Sequence, residues 1–168
     1  KENLEKADKF LISKTALIDD NGLQCLLDEN LTQIFSLAKM SLQDGVLKVD
    51  GDEMFSVHII DSKAKMSYDL NKSECEIKFK LKTIRTEGRF ANGKISFELS
   101  QDEKSKLIKS IDNRTRELID YGISLNVDIL NVVNGFLKKF PKKSSRIMAD
   151  DFLKELNFKV SVQIEQVE

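Results

Sequence analysis

The side chains that could do acid–base or zinc chemistry are few in this sequence. The single histidine, His58, lies in FSVHIID, where apolar and polar residues alternate. A histidine base needs a nucleophile or carboxylate aimed at it, and a Cys/His zinc site needs about four ligands. Because His58 falls on the opposite face of a predicted strand from Phe55, Val57 and Ile59, we expect it on the solvent side.

The two cysteines, Cys25 and Cys75, indicate core packing rather than redox or metal chemistry. Two cysteines do not form a disulfide framework, and these have no CxxC spacing. Free cysteine behaves as a small apolar residue and is commonly buried. We therefore expect both thiols in the core, with no metal site and no cofactor.

Two acidic clusters, IDDNG and VDGDEM, could hold a cation. Their carboxylates are Asp19, Asp20, Asp50, Asp52 and Glu53. Neither cluster has the spacing of a calcium-binding loop, so polar turns explain them better, with weak cation binding left open. Phosphate-binding glycine loops and the GxSxG motif are also absent from the sequence. No catalytic constellation emerges from these residues.

Three lysines, Lys78, Lys80 and Lys82, alternate along one face of a predicted strand. Platforms for single-stranded nucleic acid usually interleave aromatic residues with the cations, and this face has none. Exposed lysines also discourage edge-to-edge pairing of sheets. We therefore expect a solvated sheet face.

A second basic cluster follows the apolar run VDILNVVNGFL. We call it the basic patch, and its residues are Lys138, Lys139, Lys142, Lys143 and Arg146. The first two lysines are explained by the end of a helix, which cations stabilise and which Pro141 terminates. The other three cations extend into the following loop, and an anionic surface would attract each by ~1 kcal/mol. We therefore expect the patch to face a partner or a lipid surface.

Composition limits the class of protein. The chain has 168 residues, of which 40% are hydrophobic and 33% charged, enough for one domain with a core. The net charge of -1 argues against a dedicated nucleic-acid binder. No run approaches the ~20 apolar residues of a membrane-spanning helix. We expect residues 1–168 to form one domain, with 1–8 as a polar lead-in or linker.

Alternation with a period of two predicts about six strands. The first predicted strand covers residues 10–18 and has Phe10 and Ile12 near its start. The other five cover residues 55–59, 64–70, 75–81, 95–99 and 158–164. Helical spacing predicts one helix over 23–38 and a long helical segment over 100–140. Ser100 and Glu103 form a capping box at its start. Forty residues would span ~60 Å, so we expect a break near 122–126.

The order of these elements predicts an α+β fold. Residues 141–146 are predicted as a loop and 147–157 as a short helix. Strands and helices are segregated, and a sheet with one apolar face needs a helical layer on it. We expect an antiparallel or mixed sheet of about six strands, with one face covered by two or three helices, including a long helix in the C-terminal half.

The chain resembles the C-terminal domain of the Ger(x)C family, the C subunits of bacterial spore germinant receptors. KTALIDDNGLQCLLDENLTQI is similar to the family's strand-turn-helix, and SVHIIDSKAKMSYDL with ECEIKFKLKT resembles its paired strands, with a turn at 62–65. The ending resembles its Asp-led helix, Pro-Lys turn and final strand. The family-pattern positions that we expect to be structural are Thr15, Ala16, Leu26, Asp128, Phe136, Pro141 and Phe152.

The resemblance implies a non-catalytic interaction or assembly domain acting in nutrient-triggered spore germination. It implies a full-length lipoprotein at the outer face of the spore inner membrane, whose upstream domain and lipid anchor are absent from this chain, itself a soluble fragment. The implied partners are an integral-membrane subunit, a second receptor subunit and, through the anchor, the membrane surface; no nucleic acid is implied. The alternatives are a small-molecule (germinant) binding domain, then a nucleic-acid binder, and last an enzyme.

Overall fold

The computed structural model describes residues 14–19, 22–39, 42, 44–49, 55–87, 89–91, 94–149 and 151–166. The predicted strand positions Phe10 and Ile12 lie outside these residues. Most carboxylates of the two acidic clusters lie outside them as well, namely Asp20, Asp50, Asp52 and Glu53.

A four-stranded mixed sheet forms the centre of the fold. Its strands are β3 (Gly45–Val49), β4 (Phe55–Asp69), β5 (Glu74–Arg85) and β8 (Asn157–Gln166). In the order β3-β4-β5-β8 the first two pairings are antiparallel, and β8 lies parallel to β5. The mixed α+β architecture is therefore confirmed.

Two small hairpins account for the remaining strands that the structure describes. They are β1 (Thr15–Asp19) with β2 (Gly22–Leu27), and β6 (Arg89–Ala91) with β7 (Lys94–Ser96). The predicted sheet of about six strands is thus too large, because these strands pair only with each other. Ile95 on β7 is 67% exposed.

The predicted start of the first helix was wrong, because residues 22–27 form β2. Pairing with β1 places Leu23 opposite Ile18 and Leu26 opposite Ala16, where both leucines are exposed. The helix α1 (Glu29–Lys39) begins only after Asp28, whose carboxylate accepts a hydrogen bond from the Leu31 N–H at 2.9 Å. The leucine-rich sequence satisfies both a helical and an alternating period, and tertiary pairing selects the strand.

Strand β4 is longer than predicted, since the strands predicted at 55–59 and 64–70 are continuous. An irregularity in register between Ile59 and Asp61 adds one residue, so the inward positions change from odd numbers to even ones. The turn expected at 62–65 is therefore part of the strand, and Ser62 donates a hydrogen bond to the Leu42 carbonyl at 2.8 Å. Strand β3 was not predicted.

Helix α2 (Gln101–Ser124) has the predicted capping box. The Ser100 N–H donates to Glu103 at 2.8 Å, and the Glu103 N–H donates to the Ser100 hydroxyl at 3.3 Å. The predicted break is confirmed, because the helix ends at Ser124. A Cβ at Gly122 would lie 2.7 Å from the Val127 carbonyl oxygen, so glycine lets the chain fold back there.

The segment after the break differs from the prediction. It contains α3 (Val132–Lys139), a 3₁₀ turn (Pro141–Lys143) and α4 (Ser144–Ile147), so the predicted loop is largely helical. The helix predicted at 147–157 was wrong: Ile147 ends α4, residues 151–155 form turns and Asn157 begins β8. The Asn157 N–H donates to the Ser73 carbonyl at 2.7 Å, and the backbone becomes extended at this residue, where β8 begins.

One face of the sheet is covered by helices, as predicted. The helix α1 packs on β4 and α2 packs on β8. The inward side chains of β5 are buried, among them Ile77, Phe79 and Leu81. Lys78 and Lys80 point away from this core and are exposed.

We predict that Ser100→Ala lowers the free energy of unfolding by about 1 kcal/mol, because one N–H at the start of α2 loses its acceptor. Urea denaturation measures the change. The matched control is Ser105→Ala, which removes an exposed hydroxyl that bonds only the Gln101 carbonyl of the same helix. Its effect should stay within about 0.5 kcal/mol. Equal losses in the two variants would contradict the capping role.

Candidate functional site

The basic patch covers the end of α3 and the turns that follow it. Lys138 and Lys139 lie in the last turn of α3, Lys142 and Lys143 in the 3₁₀ turn, and Arg146 in α4. All five side chains are exposed. The predicted patch residues are thus all exposed and lie in three consecutive elements, α3, the 3₁₀ turn and α4.

Asp128 fixes the start of the helix that carries this patch. Its carboxylate accepts hydrogen bonds from the N–H groups of Val132 at 2.8 Å and Val133 at 2.7 Å. Asn131 precedes the helix with φ of 55° and makes no capping bond with its side chain. Asp128 therefore satisfies the N–H groups that a residue at the Asn131 position usually satisfies.

An aromatic cluster holds the same helix against the sheet. Phe136 is fully buried, and its ring centroid lies 4.9 Å from Tyr68, 5.1 Å from Phe152 and 6.1 Å from Phe140. Such ring pairs stabilise a fold by about 0.5–1.5 kcal/mol beyond their buried area. Phe136, Phe152 and Pro141, which the resemblance marked as structural, thus lie beside or directly after this cluster.

Two residues of the basic patch have partners within the domain. The Lys139 ammonium donates to the Tyr68 carbonyl at 2.6 Å and lies 5.4 Å from the Phe140 ring centroid. The Arg146 guanidinium donates to the Ser73 hydroxyl at 3.0 Å. Among the residues that the structure describes, the side chains of Lys138, Lys142 and Lys143 make no hydrogen bond or ion pair, although the Lys143 backbone N–H donates to the Phe140 carbonyl at 3.0 Å. Folding therefore explains Lys139 and Arg146 better than it explains the other three.

An open cavity of about 510 Å³ lies beside the patch, between the end of α1, β4 and α3. We call it the lysine cavity, and its polar lining residues are Lys39, Tyr68, Asn131, Asn134, Lys138 and Lys139. The Lys39 ammonium donates to the Leu130 carbonyl at 2.9 Å. Sequence reasoning missed Lys39; its only signal is that a cation stands in the last turn of α1.

Two lysines of the row predicted on the open sheet face, Lys78 and Lys80, pair with carboxylates. Lys80 lies 2.7 Å from Glu165, and Lys78 lies 3.2 Å from Glu76. The hydrogen bond from Lys80 lowers the pKa of Glu165. The hydrogen bond between Lys159 and Glu74, at 2.6 Å, raises the pKa of Lys159. These pairs fit the solvated face that the sequence predicts.

His58 lies on β4 with its side chain partly exposed. Its Nε2 atom is 2.6 Å from the Asp44 carboxylate, which is 87% exposed. Among the residues that the structure describes, no group of three or more His, Cys, Asp or Glu could hold a metal ion. Within the same residues, no helix is both long and apolar enough to cross a membrane.

Both cysteines are free and buried, as predicted. Burial raises the pKa of Cys25. Burial raises the pKa of Cys75 to about 12, and the negative charge of Asp128 adds to the effect. Neither thiol is therefore poised as a nucleophile.

The family model for "Spore germination B3/ GerAC like, C-terminal" matches residues 13–167. The chain belongs to this spore germination family. The solved structure described as "Crystal Structure of the GerBC protein" matches 88% of this chain with a TM-score of 0.66 and 18% sequence identity. The GerAC-like chain therefore shares that fold, and it spans about half of that protein, 48% of its length. No curated protein matches the sequence.

We predict that the stability of this GerAC-like domain falls with rising pH through Cys75. The folded thiol keeps its proton up to about pH 12, whereas the unfolded thiol loses it from its ordinary value of 9.0. The stability linked to Cys75 is therefore complete below that value and declines above it. Between about pH 8 and pH 10 the loss should reach about 1 kcal/mol.

Urea denaturation of wild type and Cys75→Ala at each pH measures this slope. The variant will be less stable throughout because it leaves a cavity, but its curve should decline less than that of the wild type. Parallel curves would contradict the raised pKa.

Proposed function

We propose that this GerAC-like domain is a non-catalytic interaction domain of a lipid-anchored germinant receptor subunit, and that the basic patch is its partner-facing surface. The observation that carries the proposal is a group of exposed cations at and after the end of a firmly anchored helix, Lys138, Lys142 and Lys143, whose side chains have no partner among the residues that the structure describes. The family match supports a role in spore germination.

The anchoring of the patch favours recognition. Asp128 fixes the start of α3, Phe136 holds its middle, and Arg146 attaches the following turns to Ser73. A binding surface whose backbone is already ordered loses less conformational entropy when a partner docks. The complementary charge of an acidic partner would also accelerate encounter.

The chemistry of the described residues supports a binding role rather than a catalytic one. The two cysteines are buried, and His58 faces one exposed carboxylate without a nucleophile in the pair. The cations of the patch, in contrast, are exposed and adjacent along the chain. Lysine and arginine side chains of this kind can form ion pairs with the carboxylates of an acidic partner surface.

The proposed partners are an integral-membrane receptor subunit and a second receptor subunit at the outer face of the spore inner membrane. An anchor in the full-length protein would hold the patch near both the subunits and the lipid headgroups. An anionic lipid surface would add ~1 kcal/mol per basic residue.

The experiment compares full-length proteins carrying Lys142→Glu with Lys143→Glu against proteins carrying Lys63→Glu with Lys65→Glu. Both pairs change the charge equally, and all four lysines are exposed. We expect the patch variant to weaken co-purification with the integral-membrane subunit by about tenfold and to slow germination, since rim charges contribute about 0.2–1 kcal/mol each and are reversed here. The sheet-face variant should behave as wild type.

Two outcomes would contradict the proposal. Unchanged co-purification of the patch variant would remove the patch from the subunit interface. Loss in the sheet-face variant alone would place the interface on the open sheet face.

A further inference from the structure

We infer that the lysine cavity binds a small organic anion that carries two or more carboxylate or phosphate groups. This inference goes beyond the proposed function, because it assigns a ligand to a site that excludes Lys142 and Lys143. The site combines α1, β4 and α3, elements that the fold brings together from distant parts of the chain.

The charge of the cavity is one-sided. Its described lining residues include the three lysines Lys39, Lys138 and Lys139 and no carboxylate. The structure shows no ion pair between these lysines and a described carboxylate, unlike Lys78 and Lys80 on the sheet face. An anion with two or more charges would therefore neutralise positive charge that the described carboxylates leave uncompensated.

Two of the three ammonium groups are already positioned. Lys39 donates to the Leu130 carbonyl at 2.9 Å, and Lys139 donates to the Tyr68 carbonyl at 2.6 Å. An ammonium has three N–H donors, so each retains two for a ligand. Held in place in this way, the lysines lose little side-chain freedom when an anion binds.

Two amide side chains, those of Asn131 and Asn134, complete the described lining of the site. Asn131 makes no capping hydrogen bond, because Asp128 caps α3 in its place. Its amide and that of Asn134 line the cavity and can donate to carboxylate or phosphate oxygens.

The size and apolar wall of the cavity indicate an organic ligand. Met66 and Tyr68 line one side, and Gly135 lines the cavity without a side chain. A Cβ at Gly135 would overlap the Tyr68 ring, so the close packing of α3 on β4 requires glycine there. A volume of about 510 Å³ lies in the range of small-molecule sites, whereas an inorganic ion would leave most of it empty.

The test titrates the 168-residue chain with glutarate, and with glutaramide as a neutral probe of equal length. Backbone amide chemical shifts measure binding. We expect glutarate to cause saturable shifts at Asn131, Asn134 and Gly135 that weaken with added salt, and glutaramide to cause none. Equal shifts with glutaramide, or no saturable shift with glutarate, would overturn the inference.

Charge-removing variants locate the site. Lys39→Gln and Lys138→Gln should each weaken glutarate binding about threefold, as the loss of one exposed ion pair does. Lys142→Gln, in the patch but outside the cavity, should leave it unchanged. Equal weakening by Lys142→Gln would show diffuse attraction to the basic surface and overturn the inference.

A further experiment distinguishes binding of a free anion from binding of a lipid headgroup. Binding to phosphatidylglycerol vesicles without binding to free glutarate or inorganic phosphate would overturn the inference in favour of a membrane surface. The glutarate test changes Lys39 and Lys138, whereas the co-purification test of the proposed function changes only Lys142 and Lys143, so either idea can fail while the other stands.

Discussion

The parallel pairing of β8 with β5 is the constraint on which the rest of the structure depends. Parallel neighbours cannot be joined by a tight hairpin, so the chain between them must cross one face of the sheet. That crossing contains α2, α3 and α4, and it covers the inward side chains of β5. The hydrogen bond from Asn157 to the Ser73 carbonyl, at 2.7 Å, holds the start of β8 beside the start of β5.

Both candidate surfaces follow from this crossing. Helix α3 must pack against β4 before the chain returns to β8, and Phe136 supplies the apolar contact with Tyr68. The last turn of α3 and the turns that follow it carry the exposed basic patch. The N-terminal part of α3 lies beside the end of α1, which creates the lysine cavity. The positions of both candidate surfaces are therefore a consequence of how the parallel strand is reached.

Local signals in the sequence predict the parts of the fold that local interactions decide. The capping box at Ser100, the break after Gly122 and the alternation of β5 and β8 are of this kind. Residues 22–27 could not be assigned, because GLQCLL satisfies two periods and only pairing with β1 selects one. The bulge in β4 shifts the inward-facing positions from odd to even residue numbers. In the sequence, the two alternating runs therefore look like two separate strands. The lysine cavity was beyond prediction because Lys39 and Lys138 meet only in the folded chain.

We propose above all that the surface around Lys143, rather than the open sheet face, contacts another receptor subunit. A photoreactive phenylalanine derivative placed at position 143 of the full-length protein, and in parallel at position 65, tests this most directly in intact spore membranes. We predict a cross-link to another receptor subunit from position 143 and none from position 65. Cross-links to a subunit from position 65 alone would contradict it.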